Sequence, residues 1–147
     1  GSMLEVAEQS GVTLIHENEK DIYGDTGDRC LDLAVNLPAL GHCFDFSNFV
    51  QCDEDTLECW NKLRDHVVYF DVKDAIAGSG VVVPAGEGDG RLVEIFRDAI
   101  DGGYDDRFNL EPHLSTGGQF GGSTSPELFE VAVSALKKVL VEASAAE

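Results

Sequence analysis

Phe108-Asn109-Leu110-Glu111-Pro112-His113-Leu114 is the stretch whose reading decides the fold. It reads as a short buried strand ending on a carboxylate, because proline has no amide hydrogen to continue a sheet ladder and marks where pairing stops. Three earlier stretches repeat the design. Val12-Thr13-Leu14-Ile15-His16 runs into Glu17, His42-Cys43-Phe44 runs into Asp45, and Val67-Val68-Tyr69-Phe70 runs into Asp71. In a parallel α/β sheet the ligand site lies beyond the carboxyl ends of the strands. Acids at four strand ends would therefore meet in one place, and such a meeting calls for a cation.

The chain has 147 residues, 43% of them hydrophobic, which fits one domain with a real core and rules out a disordered chain. Its 28 acidic residues against 10 basic ones give a formal net charge of −18. That charge repels phosphate backbones and anionic lipid, and argues against a nucleic-acid partner. Most of the acid reads either as a solvated surface or as a cation-binding feature, and the two are compatible. The spacing of Cys30, Cys43, Cys52 and Cys59 matches no zinc-ligand pattern, so free thiols are expected. No apolar run approaches the ~18 residues of a membrane span, and no signal peptide is evident, which makes a cytoplasmic location the expectation. Gly1-Ser2 ahead of Met3 reads as a cloning scar, leaving residues 3–147 as a single domain.

In chain order, residues 3–10 read as the end of a helix closed by Gly11. Strand 12–17 and a polar loop lead to a helix from about Thr26 to Leu37, stopped by Pro38. Strand 42–46 is followed by a loop with Asn48 and a helix begun by Asp53, whose Leu57, Trp60 and Leu63 recur at helical spacing. Strand 66–72 leads into a long connection, 73–90. Its Gly86-Glu87-Gly88-Asp89-Gly90 run reads as an anion cradle or as a mobile active-site loop. The helix from Arg91 to Ile100 carries Leu92, Ile95, Phe96, Ala99 and Ile100 on one face. After strand 107–111 comes a Gly-rich loop, Ser115 to Thr124. A last helix follows, with Ser125 as N-cap and Pro126 in its first turn. Strand and helix alternate throughout, as in a parallel sheet with right-handed crossovers.

Side chains alternate along a strand. Glu19, Ser47, Lys73 and His113 should therefore share the face of Glu17, Asp45, Asp71 and Glu111. By the same rule His16 and His42 fall outside the site, and His66 begins a strand at the surface. His113 is the histidine expected near a substrate, with capping of the turn as the alternative.

Several of these stretches together carry a resemblance. His16 through Thr26, Phe44 through Gln51, Val72-Lys73-Asp74-Ala75, Pro84 through Gly90 and Leu110 through Leu114 resemble the sugar phosphate isomerase/epimerase family with the xylose-isomerase-like TIM barrel. The likeness runs in order over nearly the whole chain. It implies a divalent-metal-dependent isomerase or epimerase of a sugar or sugar phosphate. In that family one cation is bound by Glu, Asp, His and Glu from four consecutive strands. Carried over by position, the metal ligands are Glu17, Asp45, Asp71 in the place of the histidine, and Glu111. A cation on the substrate oxygens would stabilise an enediolate while a carboxylate removes the proton. Glu17 and Glu111 are the catalytic pair that the resemblance implies, one on each face of the sugar. Glu19, Asn48, Lys73 and His113 are the expected substrate contacts.

Two departures from the family pattern shape these expectations. Asp71 makes the ligand set all oxygen, which favours Mg²⁺ or Mn²⁺ over Co²⁺ or Zn²⁺ but crowds four negative charges. Its alternative role is to pair with Lys73. A complete TIM barrel has eight strands in typically ~250 residues, whereas this chain resembles the carboxyl-terminal half only. The expected fold is thus an α/β half TIM barrel, (β/α)4. It is either an excised or designed half or a natural protein that has lost its first half. Leu14, Phe44, Tyr69 and Leu110 are candidates for an uncovered interior face, and both edge strands would be unpaired, so a homodimer or a complementary half is the expected partner. The alternative function is a half-barrel that folds and self-associates without turnover. The endonuclease branch of the same superfamily is disfavoured by the net charge, since phosphate contacts need Lys and Arg.

Overall fold

A computed structural model describes residues 2–115 and 123–145. The expected scar at Gly1 and the greater part of the Ser115 to Thr124 loop lie outside the described residues. After α1 (Ser2–Ser10) the chain forms β1 (Ile15–Glu17), a 3-10 turn at Tyr23–Asp25, α2 (Gly27–Asn36), β2 (Gly41–Asp45), α3 (Phe46–Gln51) and α4 (Thr56–Leu63). It continues with β3 (Val67–Val72), β4 (Asp74–Ala75), β5 (Val82–Val83), α5 (Leu92–Asp101), β6 (Phe108–Leu110) and α6 (Pro126–Ala143). The main sheet is parallel throughout, in the order β1-β2-β3-β6. Among the described residues this is an α/β fold with a four-stranded parallel sheet and six α-helices, consistent with part of a TIM barrel.

The helices cover one face of the sheet. Phe70 sits at the centre of the core, fully buried, against Phe44, Phe46, Trp60, Phe96 and Phe108. Ile95 and Phe96 of α5 and Leu136 and Val139 of α6 close it from the helix side. The alternate positions share the other face. There Cys43 is in register with Tyr69, and Asp45, Asp71 and Asn109 are in register across β2, β3 and β6.

That register corrects the expected interior face. Phe44 is buried beneath the helices and Leu110 packs against the same core, so neither faces the open side. Leu14 lines an apolar recess of about 390 Å³ with Met3, Leu4, Ile15, His16, Leu37 and Leu40 at the β1 edge. The open side of the sheet is mainly polar.

Local signals moved several boundaries. Where a loop with Asn48 was expected, α3 forms, because the Asp45 carboxylate accepts from the Asn48 amide at 2.8 Å and caps the helix. The next helix starts at Thr56, capped by Asp55 through the amides of Leu57 and Glu58, while Asp53 turns left-handed at φ 57°. In the connection 73–90, β4 and β5 pair antiparallel.

The Gly86 to Gly90 run wraps an internal anion. The Asp74 carboxylate accepts from the amides of Ala75, Gly86, Gly88 and Gly90, each at 2.9 Å. A side chain at Gly88 or Gly90 would meet that carboxylate, at 2.5 and 2.7 Å from an added Cβ. The amides that could have cradled a substrate anion are committed to the chain's own carboxylate.

Candidate metal and active site

Glu17 ends β1, Asp45 ends β2, and Glu111 follows β6, its amide still donating to Val72 O at 3.2 Å. One carboxylate oxygen from each lies within 4.8 Å of the others, the group among the described residues whose geometry suits a metal ion. Strand termination explains the meeting. Each acid stands where pairing stops and side chains turn toward the end of the sheet.

Asp45 is fully buried. Besides capping α3, it is fixed through its backbone: its amide donates to Asn18 Oδ1 and its carbonyl accepts from Asn18 Nδ2, both at 2.9 Å. Its Oδ2 lies 2.9 Å from Lys73 Nζ. The contact is an ion pair, and among the described residues Oδ2 has no other partner. Burial pushes the Asp45 carboxyl up to about 7 although Lys73 pulls the other way.

Lys73 donates to Glu111 Oε2 at 2.7 Å and so links two of the three acids. Burial disfavours its charge, but Asp45 and Glu111 outweigh that, and its pKa is raised. The half-buried Glu17 carboxyl is pushed up to about 6, first by burial and then by Asp71 and Glu111. His113 stands 3.6 Å from the other Glu111 oxygen, on a backbone held at φ 40°.

The remaining expected residues have other immediate partners. Asn48 donates to Asn18 O at 2.9 Å and to Glu17 Oε1 at 3.4 Å, so it braces a ligand candidate. Glu19 is held by the Lys20 amide and ammonium. Burial raises its carboxyl, yet those bonds outweigh burial and leave it below the usual range. Asp71 accepts from Asn109 Nδ2 and from Cys43 Sγ, the latter at 3.4 Å, and is not one of the three clustered acids. Lys73 turns to Asp45 and Glu111 in place of the Asp71 pairing considered from the sequence.

Asn18 is the residue that strand alternation missed. It is 2% exposed, and it ties the end of β1 to the end of β2. Alternation stops with the strand at Glu17, so the next side chain is free to reach sideways; an amide directly after a strand-end acid is the signal that was there to use. His16 and His42 meet at a tilt behind the sheet, ring centroids 5.5 Å apart, with His66 edge-on beyond them.

No helix among the described residues is long and apolar enough to cross a membrane. No curated protein matches the chain. The solved structures it resembles include a xylose isomerase domain protein from Planctomyces limnophilus, with TM-score 0.71 and 18% identity, covering 94% of this chain and 48% of that one. D-psicose 3-epimerase from Clostridium cellulolyticum H10 matches with TM-score 0.70 and 19% identity over 95% of this chain and 53% of that one. A probable 3-DHS dehydratase involved in petrobactin synthesis from Bacillus anthracis gives TM-score 0.70 and 18% identity over 92% and 53%. At these identities the likeness is one of fold, and the chain spans about half the length of each. The family model for the xylose isomerase-like TIM barrel matches residues 1–139, and the chain belongs to that family.

Proposed function

We propose that the three strand-end carboxylates form a divalent-cation site, with Mn²⁺ or Mg²⁺ as the ion, and that the site serves isomerisation or epimerisation of a sugar or sugar phosphate. The observation that carries this reading is the cluster of Glu17, Asp45 and Glu111 within 4.8 Å, with a buried Asp45 oxygen whose partner among the described residues is the Lys73 ammonium. Three carboxylates suit a hard cation. When bound, such an ion supplies positive charge beside the substrate oxygens.

The chain's own residues take the other parts. Glu17, at the end of β1 and braced by Asn48, takes a proton from carbon. Glu111 is oriented by Lys73 and faced by His113, and returns a proton on the opposite side. Asp45 and Asn18 fix the position of the site against β2. Asp71 stands within electrostatic range of Glu17 and is a fourth ligand candidate. Glu19, Asn48, Lys73 and His113 border the place a sugar would occupy. A cytoplasmic setting and a chain that avoids nucleic acid belong to the same proposal, in keeping with a net charge of −18.

Incubation with a panel of ketoses and Mn²⁺ in deuterated water tests the chemistry. Deuterium should enter the carbon next to the carbonyl, and Glu17→Gln should cut the rate at least ~100-fold, within the range for a positioned general base. Equal rates in both proteins would remove Glu17 from the reaction.

A second reading, a half-barrel that self-associates without turnover, is favoured by the outer edges of β1 and β6, which no strand among the described residues pairs. Pairing β1 of one copy with β6 of another, twice, would close eight strands. A complementary half would serve equally, and either would cover the recess beside β1.

A further inference from the structure

We propose that Lys73 is a resident cation of the three-carboxylate site and that a divalent ion enters by exchange with its ammonium. The proposal rests on the metal-site reading above and adds to it a built-in competitor for the ion.

Lys73 differs from the other paired cations of the chain. Lys20, Arg29, Lys62, Arg64 and Arg91 meet acids with side chains 36–50% exposed, whereas the Lys73 side chain is 5% exposed. A buried lysine is costly unless paired. Its Nζ lies 2.9 Å from Asp45 Oδ2 and 2.7 Å from Glu111 Oε2, so it neutralises two of the three acids at once.

The need is mutual. Asp45 is fully buried and spends Oδ1 on the amide of Asn48, so Oδ2 has no compensation except this ammonium. Without a cation there, a carboxylate would stand unpaired in the interior. Lys73 is also anchored at its base, since its carbonyl accepts from the Ser47 amide at 3.1 Å.

A dication bound to Asp45 and Glu111 draws on the same oxygens. An ammonium under 3 Å from those oxygens would repel it strongly in so sheltered a place. The two cations therefore exclude one another, and metal binding releases the Lys73 side chain. Glu19, which is not one of the three ligands, lies within the reach of its charge.

Calorimetry with Mn²⁺ on the unaltered protein and on Lys73→Met tests the exchange. Removing the competitor should tighten Mn²⁺ binding at least ~10-fold, equivalent to about 1.4 kcal/mol. Glu111→Gln should weaken binding in either background. Unchanged or weaker affinity in Lys73→Met, with Glu111→Gln still weakening the unaltered protein, overturns the exchange and leaves the metal site standing. Absence of Mn²⁺ binding in both proteins overturns the two together.

Because Lys73→Met leaves the buried Asp45 unpaired and can fail to fold, acylation of the unaltered protein by acetic anhydride gives a second reading. Saturating Mn²⁺ should raise modification of Lys73 several-fold relative to the exposed Lys137 and Lys138, as measured by mass spectrometry. A Lys73 rate unaffected by Mn²⁺ overturns the proposal.

Discussion

Asp45 ends β2, caps α3 and turns its remaining oxygen to Lys73. Alternation along β2 puts it on one face with Asp71, and the two are in register across the strands. What alternation could not convey is that the same carboxylate starts a helix, which draws Asn48 inward to brace Glu17. The lysine partner was also hidden. Lys73 stands two residues from Asp71 in the chain, but its long side chain reaches across the sheet end to Asp45 and Glu111. His42 offers a prediction at this scale. Burial, followed by the neighbouring His16 and His66, lowers it from 6.5 to about 4. A group with a depressed folded pKa binds protons more readily in the unfolded chain, so its contribution is present above pH 6.5 and is lost as pH falls toward 4. Glu17 and Asp45 are raised, and their contributions run the opposite way, lost as pH rises through about 6 and 7. Comparing His42→Leu with the unaltered protein cancels those two. The variant should lose less stability between pH 6.5 and 4 in urea titrations; parallel pH curves would show that His42 does not titrate on unfolding.

At the scale of elements, the loop after β4 shows a motif read by composition and decided by its neighbour. Gly86, Gly88 and Gly90 donate to Asp74, a residue that the sequence gives no reason to place among them until β4 and β5 fold the connection back. Burial raises the Asp74 carboxyl, though the four amides act to hold its charge. Asp74→Ala would strand those donors and should destabilise the protein by roughly 3 kcal/mol, given ~1–3 kcal/mol for each buried group left unsatisfied. Equilibrium urea unfolding measures this. A loss under ~1 kcal/mol would mean that water replaces the carboxylate and that the loop is held by other contacts. The helices with simple signals were legible. Ser125 with Pro126 started α6, and the apolar face of α5 was plain. Boundaries failed where a capping side chain competed with a second candidate, as Asp55 did with Asp53.

For the whole molecule, alternation of strand and helix was enough to give a parallel sheet of four strands, and the family likeness made it part of a barrel. The reading of its open face was less complete, because Phe44 and Leu110 belong to the helix side and polar groups hold the other. Association is therefore suggested by the edges of β1 and β6, unpaired among the described residues, and by the apolar recess beside β1. Light scattering coupled to size exclusion should find a particle of twice the 15.8 kDa chain mass; a stable 15.8 kDa species at low micromolar concentration would contradict self-association. Closure by a second copy would also place two carboxylate clusters at one rim. The measurement that bears most directly on the account is anomalous diffraction at the manganese edge from crystals grown with Mn²⁺. The account predicts one anomalous peak per chain, bonded to Glu17, Asp45 and Glu111, with Lys73 Nζ moved away from Asp45. A fully Mn²⁺-soaked crystal with Lys73 still between Asp45 and Glu111, and no peak among the three acids, would contradict it.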